Sequence, residues 1–136
     1  ILPSTVAGKI ALFLVERNAS GARAADLQLV NAPAGLITTD GLAALEHAID
    51  IGIAAACAEA VGVMDKTVAI TAEYMNTRKQ FGVAISSFQA LRHRMADVKM
   101  QLELARSMSY YATLKLGAPE AERRQALSRA KVQLSC

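Results

Sequence analysis

The chain of 136 residues has no tryptophan, only three phenylalanines and only three tyrosines. Aromatics at 4% leave little for stacking on bases, so nucleic acid is disfavoured as a partner. Two cysteines, Cys57 inside an apolar run and Cys136 at the end, are too few for a disulfide scaffold or a zinc site. A reducing compartment is the default, and no metal is expected. Long uninterrupted apolar runs are also missing. The best, Ile51 to Ala58, is stopped by Asp50 and Glu59, with Asp65 and Lys66 beyond. A membrane span needs about 20 apolar residues, so a soluble chain without a membrane partner is expected. An initiator methionine and a signal peptide are absent, and the helical pattern at Ala130 to Cys136 meets no stop signal. The chain therefore reads as a piece of something larger.

What is present points to helices. Hydrophobic residues make up 53%, enough for the core of one domain, and alanine alone supplies 27 residues. The net charge of +3 is unevenly spread. Residues 1–77 carry four Lys/Arg and eight Asp/Glu, net −4; residues 78–136 carry eleven and four, net +7. A basic second half suits an anionic partner, or it is simply a solvated helix surface.

The run Lys9 to Arg17 (KIALFLVER) is rich in β-branched and aromatic residues and predicts a strand. Asn18 to Gly21 is turn chemistry, Ala25 to Val30 alternates as a half-buried strand, and Asn31 to Gly35 breaks it. From about Gly41 to Thr77 the pattern is helical, with Leu45, Ile49, Gly52, Ala56, Val63 and Ile70 as its inward face. After a break at Arg78 to Ile85, Ser86 and Gln89 fit a capping box. The second helix should reach about Leu116, burying Phe88, Leu91, Met95, Val98, Leu102, Ala105 and Ala112. Gly117 ends it and Pro119 opens a third. The fold class is mainly α: an antiparallel helix bundle (38–136) after a few strands of an incomplete β domain (1–37).

The segment from Thr77 to Gly82 is the most unusual. It offers two cations, an amide, an aromatic and a glycine, followed by Phe88-Gln89. Arginine can grip two phosphate oxygens in a fork, and Phe81 can cover a flat heterocycle. An equally simple account is a helix connector with a hydrophobic plug. Among other candidates, Glu59 reads as a structural mid-helix acid and Glu46 as exposed. His47 and His93 read as surface residues, and Tyr110, Tyr111, Met95, Met100 and Met108 as core filling.

The run Tyr74-Met75-Asn76-Thr77-Arg78-Lys79-Gln80-Phe81-Gly82, then Phe88-Gln89-Ala90 and Met95-Ala96-Asp97, resembles the acyl-CoA dehydrogenases. Their signature has the form Y-x-x-x-R-x-x-F-G, then F/H-Q, then L/M-A-D/E. Ala58 to Gly62 and Glu103 to Arg106 extend the match, and LEHAIDIGIAAACAEAVG is most similar to the pimeloyl-CoA dehydrogenase small-subunit type. The resemblance implies oxidation of an acyl-CoA thioester to its enoyl form with FAD as cofactor. It assigns Arg78 to the pyrophosphate of a neighbouring subunit's FAD, Gln80 and Phe81 to the same nucleotide, Phe88 and Gln89 to its adenosine side, and Asp50 to the substrate. It further implies a homotetramer or a heterotetramer with a related subunit, and an electron-transfer flavoprotein or similar acceptor. The location would be bacterial cytoplasm or, alternatively, the mitochondrial matrix.

Two positions depart from the family pattern. Gly52 stands where a minority of relatives carry the base, and Ile53 where many carry an arginine near the substrate. No catalytic residue is assigned, the base being expected outside this stretch. The rival reading is a non-catalytic bundle subunit that completes a partner's flavin site or serves only oligomerisation. Three structural expectations follow. Arg78 should be free of a buried intrachain carboxylate, and the long helices should leave an apolar face uncovered. Loop residues should be missing between Val6 and Lys9 or between Asn18 and Arg23.

Overall fold

A computed structural model describes residues 1–14 and 33–135. The strand expected at Ala25 to Val30, the turn at Asn18 to Gly21, the Asn18–Arg23 stretch and Cys136 lie outside the described residues. Residues 1–48 form one compact unit and 49–136 another.

The first unit holds an antiparallel sheet in the order β1-β2-β3: Leu2–Val6, Lys9–Leu14 and Gly35–Thr38. Val6 pairs directly with Lys9 across a two-residue turn, Ala7-Gly8, both at positive φ. The chain is continuous through this turn, and the Asn18–Arg23 stretch, the other place where a gap is expected, lies outside the described residues. β1 is not expected from the sequence because Pro3 and the small polar Ser4 argue against a strand and mask the β-branched Thr5 and Val6. At a sheet edge, where one row of N–H groups needs no partner, proline is tolerated. Ala11 and Leu12 of β2 are buried, and the Gly41 N–H donates to the Ile10 carbonyl at 2.7 Å.

The second unit is a bundle of α1 (Leu42–Thr77, which begins in the first unit), α2 (Gln89–Leu114) and α3 (Glu120–Ser135). One core cluster joins Ala54 and Cys57 of α1 to Ala112 of α2 and to Leu127 and Ala130 of α3. Another joins Val61 to Leu102 and Ala105. As α1 advances from 54 to 61 its partners on α2 retreat from 112 to 102, so these helices are antiparallel. Small residues on α2 and α3 let those two approach most closely.

The inward face of α1 is corrected. Asp50, Ala54, Cys57 and Val61 point inward, whereas Ile49, Gly52, Ala56, Val63 and Ile70 are exposed. On α2, Leu102, Ala105, Ser109 and Ala112 are buried, while Leu91 and Val98 are exposed. Tyr110, Tyr111 and Met100 are also exposed rather than core filling. Glu46 is half-buried, and Glu59, His47 and His93 are exposed. By length and composition α1 could cross a bilayer, although no uninterrupted run of that length exists.

The expected capping box does not form. Ile85 to Ser87 make a 3₁₀ turn, in which the Ser87 hydroxyl donates to the Ala84 carbonyl at 2.7 Å. Phe88 becomes the N-cap of α2 without a side-chain bond. α2 closes in a second 3₁₀ turn, Lys115 to Gly117. Pro119 then accepts the Arg123 N–H at 3.0 Å, at the start of α3.

Candidate functional site

The connection between α1 and α2 is a miniature hairpin. The Arg78 N–H donates to the Tyr74 carbonyl at 2.8 Å, closing α1, and the Arg78 carbonyl accepts from Ile85 N–H at 2.8 Å. Between these bonds lie β4 (Lys79–Gln80) and β5 (Val83–Ala84), with Lys79 opposite Ala84 and Gln80 opposite Val83. The turn residues Phe81 and Gly82 have φ of 54° and 83°. Two successive positive φ values give the mirror-image turn that matches strand twist, usually built from Asn-Gly. Gly82 adopts it freely, whereas a bulky residue there is strained by an amount of order 1–3 kcal/mol. That strain presents the Phe81 ring 91% exposed.

The hairpin gathers most of the expected site. Arg78, Gln80 and Phe81 sit on it, all exposed. Phe88 meets the Phe81 ring edge-to-face, centroids 6.2 Å apart at 87°, and Gln89 follows at the first position of α2. Among the described residues no carboxylate pairs with Arg78. The α1 end has no basic residue in its last turn, so the Arg78 cation directly past it complements the helix dipole.

Asp50 is elsewhere. It lies on α1, 27 positions before that helix ends at Thr77, about 40 Å along the axis at 1.5 Å per residue. Its Oδ2 accepts from Arg123 Nε at 2.7 Å, the side chains being 7% and 12% exposed, and Arg123 Nη1 donates to the Ala118 carbonyl at 3.3 Å. Asp50 thus joins α1 to α3. Gly52 and Ile53 line an apolar groove of about 410 Å³ between those helices, with Lys131 at its rim. Cys57 borders the same groove; burial pushes its thiol pKa up, against a smaller downward pull from Lys131.

Sequence reasoning missed Arg123 and a second set near the hairpin. Asn76, Ser86, Arg92 and Lys99 share a groove of about 570 Å³ between the end of α1 and the first half of α2. Lys99 belongs to a network across the helices: it meets Glu103 at 3.0 Å and Asp65 at 3.9 Å, while Arg106 meets Asp65 at 3.0 Å and Glu103 at 3.3 Å. The Lys99 hydrogen bond is the main cause that holds the Glu103 pKa below its usual range. The signal for Arg92 was available: it is one helical turn after Phe88.

Comparison with known proteins agrees with this hairpin-and-bundle arrangement. The profile described as "Acyl-CoA dehydrogenase, C-terminal domain" matches residues 39–135. A short-chain-specific acyl-CoA dehydrogenase of Megasphaera elsdenii is 37% identical over 67 residues, 49% of this chain and 18% of that protein. The probable acyl-CoA dehydrogenase YngJ of Bacillus subtilis is 39% identical over 70 residues, 52% of this chain and 18% of that protein. These matches thus span under one-fifth of either relative. A solved structure, the apo form of PigA, superposes with a TM-score of 0.72 over 98% of this chain and 40% of its own, at 24% identity, and so supports the fold. With a profile covering 39–135 and a bundle of the same architecture, the chain belongs to the acyl-CoA dehydrogenase family.

Proposed function

We propose that this chain is the flavin-contacting helical part of an enzyme that removes hydrogen from the α and β carbons of acyl-CoA thioesters. Arg78 carries the reading. Its guanidinium is exposed and unpaired among the described residues, on a hairpin whose strained tip holds Phe81 in solvent. This donor set suits FAD: a guanidinium fork for the pyrophosphate, aromatic rings for its flat parts, and the Gln80 and Gln89 amides for polar edges. FAD, when bound, supplies the hydride acceptor. The chain's own residues bind and orient. None is assigned the proton abstraction, because Gly52 has no side chain and Asp50 is held by Arg123. The partners are an acyl-CoA, neighbouring subunits in a homo- or heterotetramer, and an electron-transfer flavoprotein or similar acceptor.

Flavin absorbance per chain tests the assignment. The intact protein should carry flavin, and Arg78→Ala should retain about a tenth or less, since a hydrogen-bonded charge pair contributes about 1.5–3 kcal/mol. Arg78→Lys should fall between. Full retention in Arg78→Ala overturns the assignment. The engagement of Asp50 by Arg123, together with Gly52 and Ile53, favours a second reading, a non-catalytic subunit that completes a partner's flavin site. In that case flavin binds only when the partner chain is added.

A further inference from the structure

We draw no further inference here: the strongest candidate, the apolar groove between α1 and α3 lined by Ile49, Gly52, Ile53 and Cys57 with Lys131 at its rim, carries nothing beyond the readings above, because nothing in the structure shows what covers it.

Discussion

Single side chains in this bundle do opposite jobs with the same chemistry. Arg78 and Arg92 hold their guanidinium groups open, whereas Arg123 is committed to Asp50 at 2.7 Å in a nearly dry setting. Removing one partner of such a pair strands a buried charge, which costs about 3–5 kcal/mol, while replacing both by apolar groups is often neutral. Arg123→Met should therefore destabilise the protein by about that amount in urea titration, and Asp50→Leu/Arg123→Met should recover most of the loss. Recovery would identify Asp50 as a bundle residue first. The hairpin residues were legible because their pattern is local: a glycine for the turn, an aromatic beside it, a cation at the helix end. The Asp50 partner was not, because it lies 73 positions away and no local pattern encodes it.

At the scale of elements, helix boundaries were readable and helix faces were not. α1 is apolar on two sides, so periodicity alone could not choose between the Ile49–Val63–Ile70 face and the Ala54–Cys57–Val61 face. The choice is made by α2 and α3, through alanines that accept close neighbours and through the Asp50–Arg123 pair. The same limit hid the Arg92 groove, which exists only once α1 and α2 are registered. That register is also held by the exposed network of Asp65 on α1 with Lys99, Glu103 and Arg106 on α2. Glu103 has a depressed pKa, chiefly through Lys99, so it contributes stability that is present above the ordinary glutamate pKa. That contribution is lost as the pH falls through the lower folded value. The urea midpoint should therefore drop on acidification less steeply in Glu103→Gln than in wild type. Added salt should narrow the difference, as it does for solvent-exposed pairs.

The molecule as a whole leaves apolar surface that its own residues do not cover. On α1, Ile49, Val63 and Ile70 are 53%, 60% and 52% exposed and fall on one line at multiples of seven residues. On α2, Met100, Leu104, Tyr111 and Leu114 are exposed at spacings of four, seven and three. Seven-residue apolar spacing is the pattern of a helix seam that expects another helix. The window of α1 apolar enough to cross a bilayer is only 22% buried, so a lipid surface is the competing cover. Two measurements on one variant separate these covers. Val63→Glu/Ile70→Glu places charges on the α1 seam and, because both side chains are exposed, should leave the circular dichroism and the Asp50–Arg123 core intact. If the seam is a protein interface, sedimentation should show a larger species for wild type than for the variant, with neither floating on liposomes. Wild type that floats with liposomes, and a variant that does not, would assign α1 to a membrane. A wild type that sediments as a monomer and does not float would show that the bare seams are tolerated, and would remove the assembly on which Arg78 depends to reach a neighbour's cofactor.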